Sequence, residues 1–523
     1  MRAHQDGARF YVTTPLYYVN DEPHIGSTYT TVLGDVLARS RRLQGIPTWF
    51  LTGTDEHGQK IVESAAKRGL EPQAHVDQVV ERFRQVWAGL NISYNDFIRT
   101  TEPRHQAVVT RILADLWERG EIYQDTYTGL YCVPDERYWT EKDVPDGLCP
   151  LCGRAVVPLS EKNYFFRMSR YQEWLIRHIQ EHPGFIQPEY RANEVLGFLK
   201  KPLGDLCISR PKARLSWGIP IPFDPDYVTY VWFDALINYY SATLDHPRED
   251  GSLWWPATVH LIGKDILTTH AVYWPTMLQA AGLPLPETIL AHGWWTAGGS
   301  KMGKSVGNAV RPLDCADLYG IDAFRYFLMR DMVVGLDAEF TEEALINRIN
   351  SDLANDLGNC LNRVERMIHN YWQDEIPSPG ALEPAEEELI QRAGSAGQRF
   401  AEAFGAYRIH QAIEETMELA RAVNRYLEVR SPWKAVKTAG PAGIATTLWV
   451  SAEAVRLVCA LLSPVMPVKM GEALYRLGAI EDAGDIVAGR TDPRWLRWGV
   501  LSPGTRIRPA GPLFPRIETE RPA

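Results

Sequence analysis

The sequence lacks any run of about 18 consecutive apolar residues, the length needed for a transmembrane helix. Its first residues, Met1 to Arg9, also lack the apolar stretch of a secretory signal. Positive charge is not in excess, because 65 acidic residues against 55 Lys and Arg give a net charge of −10. These absences argue against a chain that spans a membrane or coats nucleic acid with its whole surface, although local basic patches remain possible. We therefore expect a cytoplasmic protein.

Cysteine is scarce, with seven residues among 523. Three of them (Cys132, Cys149 and Cys152) fall in one short segment, which favours a metal site over a disulfide framework. The C-x-x-C pair and the loop after Cys132 have the spacing of a zinc knuckle, with Asp135 where a fourth thiolate is expected. A carboxylate binds zinc more weakly in a sulfur-rich site, so a zinc-free, hydrogen-bonded knuckle stays open as the alternative.

The N-terminal part alternates between strand and helix patterns, and the length suggests roughly three domains. Residues 10–14 and 48–54 read as buried strands, each followed by apolar residues at helical spacing. Such alternation is typical of a parallel α/β sheet, which binds ligands at the carboxyl ends of its strands. The pattern breaks near Gly120, resumes near Thr229 and gives way beyond about Thr341 to helix alone.

Two polar positions follow these strands. His24 and Gly26 lie on a strand-to-helix turn, where backbone N–H groups and the helix dipole favour an anion, and Gly26 lets a ligand approach the backbone. His24 can donate a hydrogen bond to an oxygen that gains charge during a reaction. Asp55 is placed where it could pair with a substrate ammonium. The alternatives are a capping turn with a surface histidine and a helix N-cap aspartate.

Two further stretches suggest ligand binding. Trp232, Tyr239, Ile266 and His270 are either ordinary core residues or the walls of a mostly apolar pocket. Residues 298–305 match the P-loop pattern, but a P-loop opens a helix and residues 306–312 have no apolar helical period. We reject the P-loop and predict a glycine-flanked loop whose lysines, Lys301 and Lys304, close over a polyphosphate.

The helical part carries an apolar stripe on one predicted helix and a polar face opposite it. The polar face contains Asn359 and Arg363, and a solvated surface is its usual meaning. A second apolar helix ends at Arg430, and Trp433 follows Pro432, a proline that we expect to end the helix. Trp433 is thereby predicted to be exposed and able to stack on an unpaired base. Nearby Arg and Lys residues supply local positive charge.

His24-Ile25-Gly26 and Lys301-Met302-Gly303-Lys304-Ser305, in this order on an interrupted α/β pattern, resemble the class I aminoacyl-tRNA synthetases. The stretches 15–20, 52–58, 231–236 and 263–266 are similar to those of the methionyl-tRNA synthetase family. The resemblance covers essentially the whole chain. Two positions depart from the family pattern: Ser27 replaces a second histidine and Gly303 replaces a serine. We expect these changes to reduce the rate rather than to alter the reaction.

The resemblance implies an ATP-dependent methionine--tRNA ligase that makes methionyl-adenylate, releases pyrophosphate and charges initiator and elongator tRNA(Met). It implies Mg2+ with ATP and one structural zinc. Catalysis is implied for His24, Lys301 and Lys304, ATP binding for these three with Gly26, Ser27 and Asp265, and methionine binding for Leu16, Tyr18, Asp55, Trp232, Ala235, Leu236, Tyr239, Ile266 and His270. Asn359, Arg363 and Trp433 are implied in anticodon binding, and Cys132, Asp135, Cys149 and Cys152 in metal binding.

The expected architecture is a Rossmann-like α/β catalytic domain, split by an insertion and followed by an α-helical anticodon-binding bundle. We place the two catalytic halves at 1–119 and 228–340, the zinc-knuckle insertion at 120–227, the bundle at 341–490 and an extended tail at 491–523. The dimerisation module of some relatives is missing from the sequence, which favours a monomer.

Other functions fit less well. The leucine, isoleucine and valine enzymes of the class need a large editing insertion, and residues 120–227 are too few for one. The cysteine enzyme needs a thiolate-rich metal pocket near His24, and no cysteine precedes Cys132. An RNA-binding protein with an inactive catalytic core is the rival from another functional class, and the intact His24, Asp55 and Lys304 argue against it.

Overall fold

The structure is a computed structural model that describes residues 9–19, 22–132, 137–139, 143–144, 146–150, 152–298, 300–301 and 310–518. Its strands are β1 Phe10–Thr13, β2 Tyr17–Tyr18, β3 Thr48–Asp55, β4 Asp96–Arg99, β5 Ile122–Cys132, β6 Arg137–Trp139, β7 Val157–Phe166, β8 Ile186–Gln187, β9 Leu206–Cys207, β10 Ser209–Pro211, β11 Pro220–Ile221, β12 Asp224–Thr229, β13 Val259–Gly263, β14 Thr288–His292, β15 Trp295–Ala297, β16 Ser300–Lys301 and β17 Ala338–Glu339.

The helices of the N-terminal two thirds are α1 Ile25–Leu43, α2 Gln59–Lys67, α3 Pro72–Gly89, α4 Pro103–Glu118, α5 Gln172–Glu181, α6 Glu189–Phe198, α7 Val231–Leu236, α8 Asn238–Leu244, α9 Trp274–Ala281, α10 Pro312–Tyr319 and α11 Ile321–Asp331. The remaining helices are α12 Glu342–Arg348, α13 Asn359–Trp372, α14 Pro384–Gly394, α15 Ala396–Gly405, α16 Ile409–Arg430, α17 Pro432–Ala439, α18 Ala445–Leu462, α19 Pro467–Arg476 and α20 Gly484–Val487. Thr269–Tyr273 and Ile349–Gly358 are π-helical, and Lys264–Ile266 is a 3-10 turn.

The central sheet is parallel, with β4, β3, β1, β13, β14 and β8 side by side and β2 extending the β1 edge along β3. The chain runs from β1 to β3 on one side, and β13 joins β1 on the other. This reversal of strand order at β1 is the topological switch point where open α/β sheets bind ligands. The predicted Rossmann-like fold is confirmed.

Burial explains why β1 lies at the centre. All four of its side chains are buried. Phe10 and Val12 belong to the hydrophobic core that includes α1 and the helical part, whereas Tyr11 belongs to the core on the opposite face. A strand with apolar residues on both faces is typical of a parallel sheet that helices cover on both sides.

The insertion is built mainly from antiparallel strands, in a four-stranded sheet of order β6-β5-β7-β9 and a three-stranded sheet of order β10-β12-β11. The insertion is not a separate module, because its strand β8 pairs in parallel with β14 and so extends the central sheet. A two-residue strand gives too short an apolar run to be predicted from sequence.

Beyond Thr341, which caps α12, the described chain is mainly helical, with longer non-helical stretches at 373–383 and near its end. The predicted stripe of Leu353, Leu357, Leu361, Val364 and Ile368 is fully buried. Pro432 differs from expectation, because it is the first residue of α17 rather than the end of α16. Proline suits that position since the first helical N–H needs no partner.

Within the described residues, one helical segment, Pro441–Leu462, is long and apolar enough to cross a membrane, judged by length and composition only. It consists of a 3-10 turn and α18. It lies inside the helical bundle, and 89% of its most apolar window is buried. Two charges on this helix, Glu453 and Arg456, pair with each other at 2.8 Å and are fully buried. Glu453 also accepts hydrogen bonds from three backbone N–H groups at residues 499–501. The helix is therefore a core element of the bundle.

Candidate active site

The candidate site lies where β1, β3, β13 and β14 end at one edge of the parallel sheet. His24 follows β1 and β2, Asp55 is the last residue of β3, and Asp265 lies two residues after the end of β13. Because parallel strands point the same way, these residues come from distant parts of the chain to the same edge. The strand predicted from the sequence ends at residue 54, whereas in the structure β3 includes Asp55, which is 6% exposed.

His24 is the N-cap of α1, and its ring is fixed by the backbone. Its Nδ1 accepts a hydrogen bond from the Gly26 N–H at 3.0 Å. In the neutral imidazole the proton is therefore on Nε2, which makes that nitrogen the donor. A hydrogen-bond donor at a helix N-terminus is suited to an anionic oxygen.

The ring of His24 packs against Gly26, at a distance that only a glycine permits. A Cβ on residue 26 would lie 2.9 Å from Cε1 and 3.1 Å from Nδ1 of His24. A glycine at this turn predicts that a ligand lies against its backbone, whereas in the structure the ring of His24 occupies this space. Ser27 completes a capping box, since its hydroxyl donates to the His24 carbonyl at 2.8 Å and accepts from the His24 N–H at 3.1 Å.

The predicted apolar pocket contains an imidazole held neutral. Nδ1 of His270 lies 3.0 Å from the Ile266 carbonyl oxygen, which can only accept a hydrogen bond. Nδ1 therefore carries the hydrogen and is the donor of this bond. Nε2 then accepts from the Tyr239 hydroxyl at 2.8 Å. Burial lowers the pKa of His270 to about 4. Both polar groups are thus satisfied by each other, and the wall that they form carries no charge at neutral pH.

The other pocket residues adjoin this wall. Trp232 is half-buried, with its ring edge-on to His270 at a centroid distance of 6.3 Å. Ala235 and Leu236 are buried on the same helix, α7. Tyr18 is the register partner of Asp55 across β2 and β3. Leu16 and Ile266 are half-buried against the same core. The structure therefore brings these residues together beside Asp55, and their role as a ligand pocket stays a prediction.

Several buried polar groups around this edge escaped sequence analysis. Glu56 is fully buried and takes a two-pronged hydrogen bond from Arg99 at 2.7 and 2.9 Å. His292, at the end of β14, lies 2.6 Å from the hydroxyl of Thr30 on α1. Asp234 lies between His57 and His105. Glu56, His57 and Asp234 stand in the motifs that carried the resemblance, but His105 on a largely apolar helix face gives no local signal.

Asp265 sits in a network of charged and aromatic groups after β13. Its Oδ1 accepts from the Trp294 indole N–H at 3.3 Å. The neighbouring Lys264 bonds both oxygens of Asp337 at 2.7 and 2.8 Å, and its ammonium lies 4.1 Å from the Trp294 ring centroid. This network fixes the turn between β13 and the pocket wall at Ile266.

The lysine loop is described only in part. Lys301 lies in β16, whose backbone pairs with Thr296 of β15 in an antiparallel hairpin. Lys304 and Gly303 lie outside the described residues. A strand at residues 300–301 differs from the phosphate loop that a P-loop needs at this point, which agrees with the rejection of that motif.

Three cysteines converge in the insertion. The sulfurs of Cys132, Cys149 and Cys152 lie within 4.8 Å of one another, and the Sγ atoms of Cys132 and Cys152 are 3.5 Å apart. Tetrahedral zinc with Zn–S bonds of about 2.3 Å requires sulfurs separated by roughly 3.8 Å, so the donor set fits zinc. The predicted fourth ligand, Asp135, lies outside the described residues.

The predicted anticodon residues come together on the helical bundle. Asn359 is exposed at the start of α13, and Arg363 lies one turn further along this helix. The Arg363 guanidinium lies 5.0 Å from the ring centroid of Trp433, and it also bonds Glu428 at 2.7 Å. Trp433 is half-buried rather than exposed.

The positive charge expected around Trp433 is largely compensated. Arg421 contacts Asp356, Glu414 and Glu418. Arg430 contacts Glu383 and Glu386. Glu414 and Glu418 lie on α16 together with Arg421, whereas the fold brings Asp356, Glu383 and Glu386 from other parts of the bundle.

Comparisons with known proteins show which family this chain is similar to. Residues 10–157 and 149–365 match the family described as "tRNA synthetases class I (M)", and residues 376–522 match "Anticodon binding domain of methionyl tRNA ligase". The methionine--tRNA ligase of Caldanaerobacter subterraneus subsp. tengcongensis is 45% identical over 98% of this chain and 79% of its own length. That of Thermosynechococcus vestitus is 44% identical over 97% of both chains.

Solved structures show the same likeness. A Mycobacterium tuberculosis methionyl-tRNA synthetase in complex with methionyl-adenylate has 39% sequence identity and a TM-score of 0.91, with 97% of this chain and all of that chain covered. The apo form of the M. tuberculosis enzyme has a TM-score of 0.85 at 35% identity, with 99% of this chain covered. On this evidence the chain belongs to the methionyl-tRNA synthetase family of class I aminoacyl-tRNA synthetases.

Proposed function

We propose that this chain charges tRNA(Met) in two steps through the residues described above. An ATP-dependent methionine--tRNA ligase is the activity of the family to which it belongs. In the first step the methionine carboxylate attacks the α-phosphorus of ATP, which forms methionyl-adenylate and releases pyrophosphate. In the second step a hydroxyl of the terminal adenosine of the tRNA attacks the methionyl carbonyl, so that an ester forms and AMP leaves. The observation that carries the proposal is the meeting of Asp55, the neutral His270 wall and the His24 helix start at one sheet edge.

Methionine selection follows from a pocket with few polar handles. We assign the amino group to Asp55 and the side chain to Leu16, Tyr18, Trp232, Ala235, Leu236, Tyr239, Ile266 and His270. A thioether makes no strong hydrogen bond, so it must be chosen by shape and by sulfur–aromatic contact. The hydrogen bond between the Tyr239 hydroxyl and His270 Nε2 supports this role. It pairs the two polar groups with each other, so that the pocket wall is uncharged and needs no hydrogen bond from the ligand.

The reaction at ATP needs charge stabilisation and positioning more than covalent help. We assign the α-phosphate to His24 and the start of α1, where Gly26 and Ser27 fix the ring and the cap. Asp265 is assigned to ATP binding, and Lys301 and Lys304 to the departing pyrophosphate. Mg2+ bound with ATP would supply neutralisation of the phosphate charge.

One structural zinc in the insertion is part of the proposal. The three converging thiols support it, with Asp135 as the fourth ligand. The zinc would have a structural role, because it would join Cys132 at the end of β5 to Cys149 and Cys152 of the C-x-x-C turn. Neither step of the reaction would involve it. Metal analysis of the purified protein, compared with a Cys149→Ser variant, tests it: one zinc per wild-type chain supports it, and none refutes it.

Recognition of tRNA is assigned to Asn359, Arg363 and Trp433 on the bundle. The guanidinium over the Trp433 ring supports a platform on which an unpaired base can stack. Initiator and elongator tRNA(Met) share the anticodon, so one platform serves both.

The finer organisation also stays a proposal. We divide the chain into catalytic halves at 1–119 and 228–340, an insertion at 120–227, a bundle at 341–490 and a tail at 491–523. We propose a cytoplasmic monomer. The monomer is supported by exposed large apolar side chains, such as Trp117, Leu318 and Val429, which lie on separate helices. Light scattering during size-exclusion chromatography would show a mass near 59.2 kDa for a monomer.

Charging assays test the assignment of the amino group. Wild-type protein should load radiolabelled methionine onto initiator and elongator tRNA(Met) transcripts, whereas Asp55→Asn should need far more methionine for the same rate. Asp226→Asn, at an exposed carboxylate in the insertion, is the control and should charge like the wild type. An Asp55→Asn protein with unchanged methionine dependence would contradict the role given to this carboxylate.

A further inference from the structure

A buried charge cluster lies directly behind the proposed methionine site. It consists of His57, His105, Asp234 and Ser241, here called the Asp234 cluster. Nδ1 of His57 lies 2.6 Å from Asp234 Oδ2, and Nε2 of His105 lies 2.7 Å from Asp234 Oδ1. The other nitrogen of His105 lies 2.9 Å from the Ser241 hydroxyl. Each member is at least 95% buried, and none of the roles assigned above uses it.

The geometry determines which atoms hold protons. Burial opposes ionisation of Asp234, but the two imidazoles outweigh it and keep the pKa of this carboxyl below its ordinary value. An ionised carboxylate only accepts hydrogen bonds, so His57 donates from Nδ1 and His105 from Nε2. A buried carboxylate that loses either donor leaves an unsatisfied charge, which makes this arrangement sensitive to small changes.

The cluster joins the two walls of the proposed pocket. His57 comes two residues after Asp55, at the end of β3. Asp234 comes two residues after Trp232 and directly before Ala235 on α7. The bond between His57 and Asp234 therefore connects the turn that holds the ammonium ligand to the helix that holds the side-chain pocket, across 177 positions of the chain.

The far side of the cluster anchors this link. His105 lies on α4 and Ser241 on α8, two helices that pack against each other. Trp217 adds a second tie to the β3 turn, because its indole N–H donates to the Glu56 carbonyl at 2.7 Å and its ring lies 5.5 Å from that of His57. Two contacts thus hold the turn after Asp55: the bond of His57 to Asp234 on α7, and the hydrogen bond from the indole of Trp217 in the insertion.

We propose that Asp234 is a positioning residue that sets the distance between the ammonium subsite at Asp55 and the thioether subsite at Trp232. This inference rests on the proposed function, since it takes both subsites from there. An α-amino acid must fill both subsites at once, so an error in their spacing weakens its binding although each subsite is intact. A ligand that fills only one subsite does not feel this error.

The test compares methionine with 4-(methylthio)butanoate, which has the same side chain and carboxylate but no amino group. Methionine-dependent ATP–pyrophosphate exchange gives KM for methionine and for ATP, and competition gives the inhibition constant of the deamino analogue. For Asp234→Asn we expect KM for methionine to rise about tenfold or more, since misplacement of about 1 Å can cost 10²-fold. KM for ATP and the inhibition constant of the analogue should change less than about twofold.

Two further variants protect the test from a failure of Asp234→Asn to fold. His105→Gln can place an amide N–H near the position of Nε2, and His105→Leu cannot. The proposal expects nearly normal KM for methionine in the glutamine variant and a raised KM in the leucine variant. Asp352→Asn is the matched control, because Asp352 is a buried carboxylate that accepts from the Tyr326 hydroxyl at 2.8 Å in the helical part. It should lose a similar amount of stability without a change in KM.

The outcomes separate this inference from the function beneath it. A wild-type protein without methionine-dependent exchange overturns the proposed function. An active wild type whose Asp234 variants bind methionine and the deamino analogue equally badly, or bind both normally, overturns the positioning role alone and leaves Asp234 as a core ion cluster.

Discussion

Substitution of Gly26 by alanine should impair catalysis without unfolding the protein. The new Cβ would lie 2.9 Å from Cε1 and 3.1 Å from Nδ1 of His24. Carbon atoms in ordinary contact are about 3.5–4.0 Å apart, so the ring must move by roughly 0.5 Å or more. This movement breaks the 3.0 Å hydrogen bond from the Gly26 N–H that fixes the ring. The donor on Nε2 then no longer points at the α-phosphate.

The size of the effect follows from the role given to His24. Loss of one charge-stabilising donor typically costs about 10²–10³-fold in kcat, which corresponds to about 2.7–4 kcal/mol in the transition state. We expect Gly26→Ala to lower kcat of methionine-dependent exchange by about 10²-fold, with little change in KM for methionine. Its stability should stay within about 1 kcal/mol, because helical alanine gains about 0.5–1 kcal/mol and a weakened cap loses about as much.

Gly197→Ala is the matched control. Gly197 also lies in a helix, α6, and a Cβ there would meet nothing within 4 Å. This variant should exchange at the wild-type rate and unfold at the same or a slightly higher temperature. A Gly26→Ala protein with normal kcat would refute the reasoning, since the ring of His24 would then have no part in charge stabilisation.

Four other changes test separate parts of the account. Trp232→Ala should raise KM for methionine strongly and leave KM for ATP nearly unchanged, and equal losses for both would make it a core residue. Lys304→Ala should lower kcat of exchange by about 10²-fold with a smaller change in KM for ATP, whereas a pure KM effect would indicate a ground-state clamp. Trp433→Ala should cost about 1–3 kcal/mol of tRNA binding and spare exchange, with a tRNA of altered anticodon less affected. Burial lowers the pKa of His270 to about 4 from 6.5, so the unfolded chain takes up this proton more readily and about 3 kcal/mol of the stability present above pH 6.5 is lost toward pH 4; denaturant titration of His270→Gln should show a flatter pH dependence.

Local sequence patterns were enough for the elements that carry the site. The strand at Phe10, the helix after His24 and the strand that ends at Asp55 were predictable because apolar period and β-branched content agree there. The buried stripe from Leu353 to Ile368 was predictable for the same reason. Their convergence at one edge followed from the general behaviour of parallel sheets.

Contacts between distant segments were not predictable in this way. Asp234 is bonded by His57 and His105, which stand 177 and 129 positions away along the chain, so no local pattern relates them. The contacts of Arg421 with Asp356 and of Arg430 with Glu386 have no local pattern, because helix packing brings these residues together. Trp433 was expected to be exposed because Pro432 was interpreted as the end of a helix rather than the start of the next one.

Methionine-dependent ATP–pyrophosphate exchange by the purified chain tests the central claim most directly. Each of the standard amino acids is supplied in turn at saturating ATP and Mg2+, without tRNA. The account predicts rapid exchange with methionine and rates lower by orders of magnitude with leucine, isoleucine, valine and cysteine. Exchange that is absent with every amino acid, or that is fastest with one other than methionine, would contradict it.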